Sequence, residues 1–429
     1  MDVLGSNIVA EFFGCPPEIL DDVSLIETRM LEAAEAAHAT VINSTFHHFS
    51  PFGVSGVVVI QESHIAIHTW PEYGYAALDI FTCGKEIDPW ACYRHLLDSL
   101  KVQHGSAMEQ GRGLRSLLEH HPLPDVLRVT RDGPPALPPR MRNVWFTERD
   151  QAIALSLRHR GDPLHRARSP HQKIEVYDTY AYGRMLALDG RVMTTEGDEY
   201  VYHEMMAHVP LLTHPAPRDV LVVGGGDGGL AREILRHEAV ARVELVEIDA
   251  EVVEVSRRFL PGVASAFDDP RLALRIGDGA EFLAQCPPGT FDVVCVDVPD
   301  PLGPAKRLFS PGFYEDASRA LRPGGVLVTQ CESPRFNVKV FQEMHALLRE
   351  IFGPARVHPY LIAVPSYPSG TWGLSYCTLG DAHPVRDLDP QRAAHFAEQH
   401  RLRYYNDAMH AAAFALPGYV KQLLAGAPA

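Results

Sequence analysis

The chain has no excess of basic residues, no paired-cysteine motif and no long apolar run, and each lack removes a class of function. Lys and Arg total 39 against 54 Asp and Glu, a formal net charge of −15. Nucleic acids and anionic membranes are polyanions that want a basic footprint, so neither is expected as a partner. The seven cysteines are scattered and odd in number. Without a Cys-x-x-Cys pair they argue against a disulfide framework and for a reducing cytoplasm. No stretch approaches the ~20 apolar residues that span a bilayer. The opening Met1-Asp2-Val3-Leu4 lacks the basic and apolar regions of a secretory signal. No internal repeat or low-complexity tract is visible.

What is present is an ordinary globular composition, 46% hydrophobic and 22% charged over 429 residues. That length exceeds one core, so several domains are expected. Strand signals at 7–13, 40–46, 53–60, 65–69 and 76–81 accompany helical patterns at 16–37 and 88–101. Together they predict an α+β two-layer sandwich over residues 1–118. Six prolines between His120 and Arg140 exclude a helix or central strand there, and 119–142 reads as an extended linker. Residues 143–200 read as a small β-hairpin region, with turns at Gly161-Asp162-Pro163, Tyr182-Gly183 and Asp189-Gly190. From 201 to 429 strand and helix alternate, which predicts an α/β doubly wound, Rossmann-like domain with a parallel sheet.

Two segments carry chemistry. The first is Glu62-Ser63, with Gly53-Val54-Ser55-Gly56 before it and His68-Thr69-Trp70-Pro71-Glu72 and Phe81-Thr82-Cys83-Gly84 after it. In this register the stretch from about Leu4 to about Lys101 resembles the short prokaryotic class of S-adenosylmethionine decarboxylase, which is pyruvoyl-dependent. The resemblance implies attack of the Ser63 hydroxyl on the Glu62 carbonyl, an ester, and elimination to a pyruvoyl group formed from Ser63. That group takes a substrate amine as a Schiff base and acts as an electron sink, with no external cofactor. By the same resemblance Ser55 and His68 assist cleavage and Cys83 is the general acid of decarboxylation. Phe49, Trp70 and Glu72 would contact the substrate, S-adenosylmethionine. Each residue alone has a plain structural explanation as a strand serine, a core histidine or a small buried hydrophobe.

The second is Val220-Leu221-Val222-Val223-Gly224-Gly225-Gly226-Asp227-Gly228-Gly229, a strand and a glycine loop, followed by Val246-Glu247-Ile248-Asp249 and Gly277-Asp278-Gly279. These alone indicate an adenosyl ligand, with carboxylates at the strand ends facing ribose hydroxyls. A methyltransferase would show much the same. Val296-Asp297-Val298-Pro299-Asp300-Pro301, Asp198-Glu199-Tyr200-Val201-Tyr202-His203-Glu204 and Pro365-Ser366-Tyr367-Pro368-Ser369-Gly370 narrow the reading. With them, residues from about Trp145 to about Leu379 resemble spermidine synthase. The resemblance implies Asp297 as general base and Asp227 as holder of the donor's amine. Glu247 matches the ribose contact, and Asp278 with Gly279 the adenine contact. Gln172 and Tyr202 line the donor or reaction site. Trp145, His203, Asp300, Glu332 and Tyr367 lie around the acceptor amine. Met193 stands where many spermidine synthases have Gln, which leaves acceptor choice open.

The expectation is therefore a bifunctional enzyme that makes decarboxylated S-adenosylmethionine and transfers its aminopropyl group to putrescine or a related diamine. Resemblance in both halves implies a homodimer or larger homo-oligomer. Two alternatives stay open for the first domain: decarboxylation of another amino acid such as ornithine or arginine, or an unprocessed dimerisation module.

Overall fold

A computed structural model describes residues 3–49, 52–83, 87–114, 144–149, 153–299 and 307–426. Two compact units divide the chain, Met1–Pro138 and Pro139–Ala429. The Pro-rich linker and Asp300 lie outside the described residues.

In the first unit the elements run β1 (Val3–Phe13), α1 (Pro17–Leu20), α2 (Val23–Ala36), β2 (Val41–His48), β3 (Val54–Ile60), β4 (Ser63–Trp70), β5 (Tyr75–Cys83), α3 (Pro89–Ser99) and β6 (His104–Leu114). The six strands pair antiparallel in the order β2-β3-β4-β5-β1-β6. One face carries Ile8, Phe12, Val58, Ile65 and Ile80, packed on Ile26 and Met30 of α2 and Leu96 of α3. The period-2 alternation leaves His68, Trp70 and Cys83 exposed on the other face. The helical pattern expected over 16–37 is broken, because the Asp22 side chain accepts from Ser24 N and Leu25 N and starts a new helix. Strand β6 was not expected from its sequence; Gly105, Gly111 and Gly113 obscure its alternation.

The second unit opens with β7 (Val144–Arg149), β8 (Ala154–His159), β9 (His165–Arg168), β10 (Lys173–Thr179), β11 (Gly183–Leu188) and β12 (Arg191–Thr195), an antiparallel sheet. There follow α4 (Glu199–Thr213), β13 (Asp219–Gly224), α5 (Gly229–Leu235), β14 (Arg242–Glu247), α6 (Ala250–Phe259), β15 (Leu272–Ile276), α7 (Gly279–Gln285) and β16 (Phe291–Asp297). The unit ends with α8 (Pro311–Ala320), β17 (Leu321–Gln330), α9 (Val338–Phe352), β18 (Val357–Ala363), β19 (Thr371–Thr378), α10 (Pro390–His400), α11 (Asp407–Ala413) and α12 (Gly418–Leu424). Strand order is β15-β14-β13-β16-β17-β19-β18. The first five strands are parallel, as expected, and β18 and β19 add an antiparallel edge. Strands β13 and β16 are buried on both faces, which is why Val220–Val223 and Val293–Val296 read as continuous apolar runs. Strand order reverses between β13 and β16, and the crevice at their carboxyl ends is where such sheets take ligands. Ile174, Val176 and Leu186 of the small sheet pack on Val252, Val255 and Leu260 in and after α6, fixing that sheet beside the crevice.

Candidate active sites

The first candidate site is split along one hairpin. Strands β3 and β4 pair Ile60 with Ser63 next to the turn and Ser55 with His68 far from it. At the far end Ser55 Oγ lies 2.6 Å from His68 Nδ1, and the Trp70 ring is 6.4 Å from the His68 ring. Phe49 N–H donates to the Gly53 carbonyl at 2.8 Å, which brings Phe49 to the same end. Glu72 sits there too, exposed in the short turn that follows β4. At the near end Ser63 faces Thr82, and the Cys83 N–H donates to the Glu62 carbonyl at 3.0 Å. The Glu62 carboxylate accepts from Thr40 N–H at 3.3 Å. Ser63 has φ +156°, at the margin of a region that glycine favours. Ser63 and His68 are five steps apart along β4, roughly 16 Å at ~3.3 Å per residue. The structure thus gathers Glu62, Ser63 and Cys83 in one place and Ser55, His68, Trp70, Phe49 and Glu72 in another. The imidazole beside Ser63 is His64, whose Nδ1 is 3.2 Å from Ser63 Oγ; its adjacency in sequence was the available signal.

The second candidate site is a cavity of ≈ 480 Å³ at the carboxyl ends of β13, β14 and β16. Gly224 holds φ +82°, and a Cβ there would stand 1.9 Å from the Asp297 carbonyl, so only glycine fits this approach. Gln172, Tyr202, His203, Asp227, Glu247, Asp278, Gly279, Asp297 and Tyr367 all line the cavity. Asp227 Oδ1 accepts from Gly229 N–H at 2.8 Å, and its Oδ2 is 3.6 Å from His203 Nε2. Glu247 accepts from Asp249 N–H at 2.9 Å. Gln172 donates to Asp249 at 2.9 Å, which orients its amide. Asp278 caps α7 through Ala280 N at 2.7 Å and pairs with Arg307 at 3.0 Å. The Tyr367 hydroxyl donates to the Met193 carbonyl at 2.8 Å.

Two expected residues stand apart from the lining. Trp145 is half exposed on edge strand β7. Glu332 is buried at φ +66°, where Asn337 donates to its carboxylate at 2.6 Å. Gln330, Ser333, Asn337, Glu148 and Trp372 line the cavity and were not picked out from sequence. Gln330 ends β17 on the same edge as Asp297, so its strand position was a usable signal.

Burial shapes the charges. Asp297 keeps some access from the cavity, but the protein around it removes enough water to raise its pKa to about 6. His203 opposes that rise, Asp227 adds to it, and a hydrogen bond from Tyr202 opposes it. Burial likewise raises Glu247 to about 7; the backbone N–H of Asp249 opposes the rise, and the carboxylates of Asp249 and Asp297 add to it. Burial disfavours a charge on His203, yet Asp227, Glu199 and Asp297 together prevail and carry it up to about 9. Among the described residues no cluster of His, Cys, Asp or Glu could hold a metal ion.

Comparison with known proteins gives these sites a family. Residues 199–384 match the spermine/spermidine synthase domain, 144–196 the spermidine synthase tetramerisation domain, and 6–113 S-adenosylmethionine decarboxylase. The polyamine aminopropyltransferase of Moorella thermoacetica is 46% identical over 66% of this chain and 97% of its own length. The spermidine synthase of Coffea arabica is 42% identical over 61% of this chain and 84% of its own. A spermidine synthase crystallised with the transition-state analogue AdoDATO superposes with a TM-score of 0.64 at 35% identity, over 69% of this chain and 99% of that one. The chain belongs to the spermidine synthase family of aminopropyltransferases. It is a fusion, in which an S-adenosylmethionine decarboxylase domain precedes the spermidine synthase domain, and it is an enzyme of polyamine biosynthesis.

Proposed function

We propose that the first unit cleaves its own chain at Glu62-Ser63 and then decarboxylates S-adenosylmethionine, and that the second transfers the resulting aminopropyl group to putrescine. Spermidine and methylthioadenosine are the products. The observation that carries the cleavage is the Cys83 N–H on the Glu62 carbonyl at 3.0 Å. A donor in that place stabilises the oxyanion that forms when Ser63 Oγ attacks. The peptide C–N bond breaks as the ester forms. Elimination then releases the Glu62 carboxylate and leaves dehydroalanine, and water displaces ammonia to leave a pyruvoyl group at position 63. Ser63, its neighbouring imidazole and the backbone donor fit such a group. It supplies the carbonyl that condenses with the substrate amine and accepts the electron pair left by carbon dioxide. The exposed Cys83 thiol, one residue from the partner of Ser63, is placed to return a proton to carbon.

Ser55 and His68 are too far from Ser63 of the same copy to assist it. A second copy, packed antiparallel on the open sheet face, would bring its Ser55–His68 pair to this Ser63 and make two whole sites from four halves. Exposed Val9, Phe13, Val59 and Met108 give that face its apolar area. The match of β7–β12 to a tetramerisation domain supports assembly through the second unit as well.

In the transfer site the sulfonium is already a good leaving group, so the protein must orient an amine and take its proton. Asp297, held by Tyr202, is ionised at neutral pH and still basic enough for that work. Asp227 holds the donor's ammonium and repels the carboxylate of intact S-adenosylmethionine, which separates donor from precursor. The same repulsion disfavours methyl transfer. Among the described residues no helix is long and apolar enough to cross a membrane, and we place the enzyme in the cytoplasm.

An intact mass spectrum under denaturing conditions tests the processing. The expected result is two species, one ending at Glu62 and one beginning with a pyruvoyl group at position 63. A single full-length species would leave only the transferase.

A further inference from the structure

Behind Asp227 a line of buried charges leads away from the cavity, and its far members, Glu199 and Arg232, do not line it. Arg232 of α5 donates through Nη2 to both oxygens of Glu199, at 2.9 and 2.8 Å. Glu199 Oε2 lies 2.6 Å from His203 Nδ1, one turn along α4. His203 Nε2 then faces Asp227 Oδ2 at 3.6 Å. Arg232 is fixed from its other side by Glu233 Oε1 at 2.8 Å. The imidazole is also fitted sterically, since a Cβ on Gly229 would come within 2.3 Å of it.

We propose that Glu199, gripped by Arg232, is a positioning residue for aminopropyl transfer. It accepts from the Nδ1–H of His203 and fixes the angle of the ring, and so aims Nε2–H at Asp227 beside the reacting amines. A carboxylate on one ring nitrogen decides how the ring is aimed and favours its charged form. Glu199 does not line the cavity, and so it acts through His203. The groups facing His203 are Glu199 and Tyr202 from α4, Asp227 from the glycine loop and Asp297 from β16. Of these only Glu199 touches Nδ1. This inference rests on the transfer reading above.

The test uses the full chain with decarboxylated S-adenosylmethionine supplied, so that the first unit plays no part. In Glu199→Gln, kcat is expected to fall by ~10–100-fold, the usual cost of losing an outer partner of a working imidazole. Methylthioadenosine binding should hold, because it depends on Glu247 and the glycine loop. Removing the carboxylate also removes a charge that favours the imidazolium, so the pH-profile limb that tracks His203 moves to lower pH. Glu199→Asp should recover part of the loss. In a His203→Gln background, Glu199→Gln should cost nothing further. Equal losses in both backgrounds, or an unmoved pH profile, would overturn the proposal in favour of a purely structural role. Should Glu199→Gln fail to fold, Glu199→Asp carries the same comparison. A wild-type chain with no transfer activity would remove the transfer reading and this one together, and that is seen before any variant is made.

Discussion

Asp297 and Cys83 both end central strands of their sheets, yet they work in opposite surroundings. Asp297 lines a cavity among Glu247, Asp227 and His203; burial has raised the pKa values of Asp297 and Glu247, and the carboxylates around His203 have raised its pKa against the pull of burial. Cys83 is exposed on an open sheet face, with His68 exposed at the far end of the neighbouring strand. A doubly wound sheet makes its own crevice at the strand-order reversal, so one copy can dry and tune its acids. A single antiparallel sheet with helices on one side has no crevice. On the proposed reading its chemistry is enclosed by a second copy, and the separation of Ser63 from His68 is what that reading explains.

The largest expected effect breaks the two halves apart. Ser63→Ala should abolish cleavage and decarboxylation outright, while transfer from supplied donor continues at the wild-type rate, measured by spermidine formation. Loss of both activities would mean that the halves are not independent. Next, Asp297→Asn should lower kcat for transfer by about 10²–10⁴-fold, the range for a general base, with cleavage at Glu62-Ser63 intact on a denaturing gel. The dependence of kcat/KM on pH should follow the same carboxylate. Asp297 must be ionised to act, so activity is full above its pKa of about 6 and falls as pH drops through it.

Complementation sharpens the claim that the first site spans two copies. Ser63→Ala and His68→Asn variants should each fail to cleave alone. Co-expressed, they should regain roughly a quarter of wild-type cleavage, the share expected when half the dimers are mixed and each holds one whole site. No recovery would place all the machinery within one copy. The smallest effect concerns stability. Folding holds Glu247 ionised at pH 8 against a pKa of about 7, above its unfolded value. A group raised in this way favours the fold at low pH and loses that contribution as pH rises through about 7. Glu247→Gln should therefore weaken methylthioadenosine binding yet stabilise the fold at pH 8 by about 1–3 kcal/mol. Thermal unfolding should show the gain vanish near pH 5.

Much of this was legible in the chain, for physical reasons that also mark where legibility stops. The glycine loop, the carboxylates at strand ends and the double-sided apolar strands are local patterns, and they located the β13–β16 crevice. Strand β18 was hidden by Pro359, which an edge strand tolerates and a central strand does not. The half-sites of the hairpin could be named from sequence, but their separation follows only from pairing Ile60 with Ser63 and Ser55 with His68. Glu199 and His203 share a helical turn and could have been paired from spacing alone. Arg232 lies 33 residues from Glu199 and reaches it only because α4 and α5 pack together.

The central claim is that one chain both makes and uses its aminopropyl donor. The most direct measurement gives the purified protein only S-adenosylmethionine and putrescine and follows the products by mass spectrometry. Spermidine and methylthioadenosine forming together, with no decarboxylated S-adenosylmethionine added, is the predicted result. Spermidine appearing only when that donor is supplied would contradict it.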